Sequence, residues 1–374
     1  MNSHETHAKT ARSSTCGGVI YVDATHMGRA VTGIERISAE LFSQQALSPL
    51  PVRPVGPPMK GTAGLVAGQY VSLPARLARD PGAIALCPGF PPSLLLSRFG
   101  ARVIPYIHDL FLLTRRADLS VRARLYMAPA FRHAVRRLPR FFVNSRATAD
   151  ELARFAREDA QIHLYRPRVR NVFGLNDAGR AGRSAPGGSL RLVALGTLEP
   201  RKNLLAAAEI IAALRGKGFA RARLDIIGRE GWGGVAEALR GREGVVVHGY
   251  QPEEAIRRII HSADAFITTS HDEGLGLPLL EAQYAGLPVI APDAPVFREV
   301  LQSGGVFIDP ARPGEAAERI AAVLSGADEA GRFAEQARAN ISLWNARAEA
   351  DRSAIIALLA RLSAAAGARE AGPC

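Results

Sequence analysis

Two α/β domains facing each other across a cleft are what this sequence predicts, and three observations carry that prediction. The chain has 374 residues, more than one ordinary core accommodates and suited to two domains. Short β-branched or apolar runs alternate with longer helical patterns in both halves, the signature of βαβ units and parallel sheets. Between the halves lies GLNDAGRAGRSAPGGS, residues 174–189, rich in Gly, Ala and Ser and poor in large apolar residues, which marks a linker.

The elements follow in order. In the first half the candidate strands are VIYV (19–22), AIAL (83–86), RVIPYI (102–107) and FFVN (141–144). In the second they are LRLVALG (190–196), LDIIG (224–228), VVVH (245–248), AFITT (265–269), PVIA (288–291) and GVFI (305–308). Their near-continuous hydrophobicity argues for strands buried on both faces. The predicted division is 1–183 for the first domain, with 1–16 expected to be flexible, 184–345 for the second, and 346–374 for a last helix and tail. In open parallel sheets ligands bind beyond the carboxyl ends of the strands, so the loops after strands are where chemistry is sought.

Composition narrows the function classes. With 47% hydrophobic and 22% charged residues the chain reads as soluble and globular. Its net charge of +12 is almost all arginine, since the only lysines are Lys9, Lys60, Lys202 and Lys217. A basic balance favours anionic ligands: phosphates, acidic lipid or nucleic acid. Cys16, Cys87 and Cys374 are far apart and odd in number, which suggests neither a disulfide framework nor a zinc site and fits a reducing compartment. The polar N-terminus lacks the apolar core of a signal peptide, and no segment approaches the roughly 20 apolar residues that span a bilayer. The expected location is therefore the cytoplasm, with the inner face of the plasma membrane open to peripheral contact.

Two loops stand out. After AFITT the chain runs TSHDEGLGLPLLEAQYAGLP, residues 269–288, with Glu273 in the loop and Glu281 expected in the first turn of a helix opened by Pro278 and stopped by Gly286. Gly274 and Gly276 strip side chains from the intervening backbone, so amides and a helix N-terminus face an anion between the two carboxylates. An isolated pair of glutamates is usually solvated, but the Gly-Leu-Gly turn at a strand-to-helix junction favours a site. The second loop, TLEPRKNL (197–204), follows RLVALG and carries Arg201 and Lys202. Arginine grips phosphate oxygens bidentately and lysine acts as a compact charge, so this pair suits a diphosphate.

Taken together, EGLGLPLLEAQYAGLPVIAPD and GTLEPRKNL closely resemble the retaining glycosyltransferases of family 4, densest from Leu190 to Asp309. The resemblance implies the GT-B fold of two Rossmann-like domains. It implies that Arg201 and Lys202 bind the diphosphate of a nucleotide sugar and offset leaving-group charge, that Glu281 accepts hydrogen bonds from the ribose, and that Glu273 holds hydroxyls of the transferred sugar. Gly274, Leu275 and Gly276, with Leu277 in the same turn, would offer backbone amides to sugar and phosphates. Gly228 closes a strand beside the nucleotide, and the segment around Gly249 and Tyr250 would line the base, Tyr250 being equally readable as a packing residue. His108, at the end of a first-half strand, would face the reacting sugar, while Asp109 either orients that ring or caps the next turn. Gly33, in TGIERISAEL, would let backbone approach the donor phosphates. Asn144 and Ser145 stand at a strand end, Ser145 also suiting a helix cap, and the helix around Trp344 resembles one that crosses back onto the first domain.

The reaction implied is sugar transfer with retention. The chain contains no Asp-x-Asp, so no metal and no cofactor beyond the nucleotide-sugar co-substrate is expected. No residue stands out as a double-displacement nucleophile, which favours front-face departure and attack. GDP-mannose is the first choice of donor, with a glycan or polyprenyl-linked acceptor in surface polysaccharide or lipopolysaccharide synthesis. Residues 115–140 contain Arg115, Arg116, Arg122, Arg124, Arg132, Arg136, Arg137 and Arg140 among apolar residues, a face that suits anionic membrane as well as plain solvent. Nucleic acid is disfavoured, because no recognised module or aromatic platform accompanies the charge. Two other readings are a GT-B-fold sugar-nucleotide epimerase and a non-catalytic nucleotide-sugar-binding partner of another transferase.

Overall fold

The computed structural model describes residues 18–27, 33–59, 61–115, 119, 121, 123–174 and 188–368. It contains two parallel sheets. The first comprises β1 (Ile20–Asp23), β2 (Val52–Val55), β3 (Ile84–Cys87), β4 (Val103–Ile107), β5 (Arg140–Val143) and β6 (Gln161–Leu164), in the order β2-β1-β3-β4-β5-β6. The second comprises β7 (Arg191–Leu195), β8 (Arg223–Ile227), β9 (Val245–Gly249), β10 (Ala265–Ile267), β11 (Val289–Pro292) and β12 (Gly305–Ile308), in the order β12-β11-β10-β7-β8-β9. All ten expected strands are present. Two more, β2 and β6, were not expected: β2 (VRPV) contains a proline and β6 (QIHL) is half-polar, and both lie at sheet edges, where neither feature interrupts a buried ladder.

Strand order decides where chemistry is possible. In the second sheet the order reverses between β7 and β10, which pair directly through Ala265 and Leu192. Loops leaving adjacent strands in opposite directions at such a point open a crevice. The two loops singled out in the sequence are those that follow β7 and β10.

One apolar cluster links the halves. It runs from Phe42, Tyr106 and Tyr165 through Leu275 and Leu277 to Trp344, Ile355 and Leu359. The last three belong to a single helix, Ala327–Ala368, so residue 346, expected as a boundary, falls inside it. This helix passes from the second sheet to the first: Trp344 is buried with its indole N–H donating to Pro167 O at 3.0 Å, Arg166 pairs with Asp351 at 2.7 Å, and Ser363 Oγ donates to Gly18 O at 2.8 Å. No helix among the described residues is long and apolar enough to cross a membrane. The expected boundary at 183/184, the flexible 1–16, Cys16 and Cys374 lie outside the described residues.

Replacing Trp344 with Ala removes a large buried ring and the bond to Pro167. The expected cost is about 3–5 kcal/mol of stability, read as a lower denaturant midpoint. A loss below about 1 kcal/mol would show that the helix does not anchor the two halves.

Candidate functional site

The loop after β7 ends in a tight turn, Pro200–Lys202, followed by Asn203 in the left-handed region at φ 47°. That turn aims Arg201 and Lys202 at the loop after β10. Lys202 Nζ donates to Glu273 Oε1 at 2.5 Å, Arg201 Nη1 to Oε2 at 3.2 Å, and Ser270 Oγ to Oε1 at 2.8 Å. The other edge of Arg201 donates to Glu199 Oε1 at 2.7 and 3.1 Å, and its guanidinium lies 4.8 Å from the centre of the Phe111 ring, contributed by the first domain. Burial by itself would raise the pKa of Glu273, but Lys202 and Arg201 overcome it and hold the carboxyl below its ordinary value. Glu273 is therefore an ionised acceptor at neutral pH.

Glu281 lies on the helix Leu277–Tyr284, whose cap is Gly276 at φ 71°. The helix opens one residue earlier than expected, with Pro278 second, so Glu281 falls just past the first turn rather than within it. It is buried and bonded by Arg36 of the helix Gly33–Phe42 in the first domain. Burial raises its pKa to about 7, against the pull of Arg36. One carboxylate of the pair is thus locked in its charged form and the other is close to titrating.

The first domain supplies the opposing wall. His108, after β4, bonds Pro88 O through Nε2 at 2.7 Å, and Asn144 Nδ2 donates to its carbonyl at 2.8 Å. Enclosure by protein lowers the His108 pKa to about 4, which leaves the ring neutral at physiological pH. Asp109 caps the next turn, accepting from Phe111 N at 3.1 Å, and burial raises its pKa to about 6. A Cβ on Gly274 would fall 2.0 Å from His108 O, so only glycine lets the β10 loop come this close.

Several contacts hold the two walls together. Ser145 caps the helix Arg146–Ala153, its Oγ accepting from Thr148 N, and the hydroxyls of both Ser145 and Thr148 lie 3.2 Å from Gly274 O. Glu299, from the second domain, accepts from Arg146 N and Ala147 N at 2.8 Å each, filling the N-terminus of that helix. Arg115 approaches Asp272 at 3.7 Å.

The remaining sequence-derived residues are spread around this centre. Gly228 follows β8 and lines a cavity of about 520 Å³ with Leu198, Glu230, His248 and Gly249. Tyr250 follows Gly249 and is 75% exposed, so it is not a core packing residue. Leu275 and Leu277 are buried, which leaves their backbones as the groups to meet a ligand. Gly33 opens its helix with free space where a Cβ would stand. Thr32, Arg116 and Arg122 lie outside the described residues. Sequence reasoning missed Arg36, Glu199, Phe111, Thr148, Ser270 and Glu299. Arg36 and Glu199 stand inside motifs already singled out, but nothing in a linear pattern says that they reach Glu281 and Arg201.

With this geometry in view, comparison with known proteins is informative. Residues 178–340 match the family described as glycosyl transferases group 1. The matched residues include Arg201, Lys202, Glu273 and Glu281. Among relatives, the chain is 36% identical over 121 residues to O-antigen chain mannosyltransferase B of Escherichia coli, covering 31% of this chain and 32% of that protein. It is 30% identical over 158 residues to the serotype-specific mannosyltransferase WbdA of the same species, covering 39% of this chain and 19% of WbdA. The matches thus span a third or less of these relatives' lengths. Among solved structures, WaaG, a glycosyltransferase involved in lipopolysaccharide biosynthesis, superposes with a TM-score of 0.66 at 15% identity, covering 91% of this chain and 99% of that one. A sucrose-phosphate synthase of Thermosynechococcus elongatus gives 0.69 at 16% identity, over 93% and 100%. At these identities the likeness is one of fold, and the fold is GT-B.

The titration of Glu281 has a stability consequence. Its folded pKa of about 7 lies above the ordinary 4.5, so between those values the folded state binds more protons than the unfolded one and stability falls as pH rises. Glu281→Gln should flatten that part of the stability–pH curve measured by urea denaturation. An unchanged slope would mean that Glu281 does not titrate there.

Proposed function

We propose that this chain is a retaining glycosyltransferase that moves a sugar from a nucleoside-diphosphate sugar, with GDP-mannose as first choice, to a glycan or polyprenyl-linked acceptor in surface polysaccharide synthesis at the cytoplasmic face of the membrane. The observation that carries the reading is the Lys202–Glu273–Arg201 cluster at the strand-order reversal, in a loop whose Gly274 comes against the His108 carbonyl. The names of the relatives, mannosyltransferases of O-antigen chains, support the choice of sugar and of product class.

The roles follow from charge and position. An incoming diphosphate competes with Glu273 for Arg201 and Lys202, and these two cations, without a metal, offset the charge that develops as the sugar leaves. Glu273, ionised and released from part of its pairing, accepts hydrogen bonds from sugar hydroxyls. Glu281 does the same for the ribose once Arg36 gives way. Amides of Gly274, Leu275, Gly276 and Leu277 meet sugar and phosphates, with Gly33 approaching the phosphates from the other domain. The base occupies the cavity between Gly228 and Gly249, with exposed Tyr250 beside it. His108, neutral, serves as a hydrogen-bond partner for the reacting sugar and not as a proton donor. Departure and attack take place on one face of the sugar, the leaving phosphate accepting the acceptor's proton.

Thermal shift against GDP-, UDP-, dTDP- and ADP-sugars tests donor binding, since a ligand at a hundred times its Kd contributes about 2.7 kcal/mol. Lys202→Ala and Arg201→Ala should each lower kcat/KM by about a hundredfold to a thousandfold while the fold is retained by circular dichroism. Absence of any nucleotide-sugar shift, together with wild-type turnover in both variants, would refute the assignment.

Contacts between the walls generate a separate expectation. Glu299→Ala should lower kcat with little change in nucleotide affinity, because Glu299 bonds Arg146 N and Ala147 N of the first domain and not Arg201, Lys202, Glu273 or Glu281, and Glu299→Gln should recover part of the rate by restoring one acceptor. Equal loss in both variants, or a purely thermal defect, would count against a role in closure.

A further inference from the structure

The basic segment of the first domain forms a feature that the donor site does not use. Around the helix Ala128–Arg137 a shallow cavity of about 530 Å³ is lined by Arg124, Arg132, His133, Arg136, Arg137 and Arg157. The helix buries Ala128, Phe131, Ala134 and Val135 against the sheet, which turns Arg132, Arg136 and Arg137 outward. Among the described residues Arg157 pairs with Asp159, whereas Arg124, Arg132, Arg136 and Arg137 have no carboxylate partner. Like charges four residues apart on a helix, as at Arg132 and Arg136, oppose helix formation. A helix that carries them unneutralised is suited to an anion from outside the chain.

The surroundings say what kind of anion. Val121, Leu125 and Tyr126 are 68%, 65% and 76% exposed, and Phe155, beside Arg132 and Arg136, is 39% exposed. A site for a small soluble phosphate has no use for a fringe of exposed apolar and aromatic side chains. A lipid surface does: phosphates sit at the depth of the guanidinium groups, and apolar tips enter just below them.

We infer that the cavity lined by Arg124, Arg132, Arg136, Arg137 and Arg157 binds phosphate headgroups of an anionic membrane, with Val121, Leu125, Tyr126 and Phe155 entering the interface. This docking would present the acceptor side of the cleft to a lipid-linked substrate, yet it stands independently of the donor assignment. Neither the arginines nor the fringe touches Arg201, Lys202, Glu273 or Glu281.

The test is co-sedimentation of the full chain with vesicles of phosphatidylcholine alone and of phosphatidylcholine mixed with phosphatidylglycerol, at low and high salt, with soluble glycerol phosphate as competitor. Binding is expected only to the anionic vesicles and should weaken with salt. Each arginine changed to alanine should cost roughly fivefold, so Arg132→Ala/Arg136→Ala/Arg137→Ala should bind roughly a hundredfold more weakly. Leu125→Ser/Tyr126→Ser should weaken vesicle binding without altering glycerol phosphate binding, and this second variant leaves every charge in place. Nucleotide-sugar binding should be unchanged in both variants, which separates failure here from failure of the donor reading. Vesicle binding equal in wild type and the arginine variant would overturn the proposal, as would tight binding of glycerol phosphate without vesicle binding, which would make the ligand a soluble phosphate.

Discussion

The cleft depends on one carboxylate shared by two cations. Glu273 is largely removed from water, and removing an ion from water costs several kcal/mol. A single opposite charge at 4 Å in a partly enclosed site returns about 4 kcal/mol, which roughly breaks even. Lys202 and Arg201 together outweigh the effect of burial on Glu273, which stays ionised and bridges the loops after β7 and β10. Glu199 and Phe111 then hold Arg201 from its remaining sides, so that the cation is oriented before any ligand arrives.

The same chemistry placed in different surroundings yields groups with different behaviour. Glu281 has one cation against its burial, and its pKa rises to about 7; Asp109 has a backbone amide and a more distant Arg201, and rises to about 6. His108, enclosed without a carboxylate partner among the described residues, is pushed the other way and stays neutral. The site therefore presents one fixed anion, two carboxyls close to titration and a neutral imidazole.

Apposition of the walls is built into backbone as much as into side chains. The carbonyl of Gly274 meets two hydroxyls of a helix cap, and the first amides of that helix meet the carboxylate of Glu299. These bonds join the loop after β10 and the helix carrying Glu299 to the first domain. The helix carrying Trp344 secures the same pairing of domains from the far side, through packing and through Arg166 and Asp351. A long helix fixes relative position, and the short polar contacts at the cleft set the final distance.

By itself the sequence determined the α/β class, ten of the twelve strands among the described residues, the strand-to-helix loop around Glu273 and the cationic pair at 201 and 202. These were legible because strand burial and loop composition are local: a run of apolar residues, a Gly-Leu-Gly turn or an Arg-Lys pair is complete within a few positions. The edge strands β2 and β6 were not, since an edge tolerates proline and polar residues that a buried strand refuses. Arg36 on Glu281, Glu299 on residues 146 and 147, and the close approach of Gly274 to His108 were decided only by tertiary structure. Each joins residues more than a hundred positions apart, and each depends on strand order and on how the two sheets face one another, which no spacing along the chain encodes.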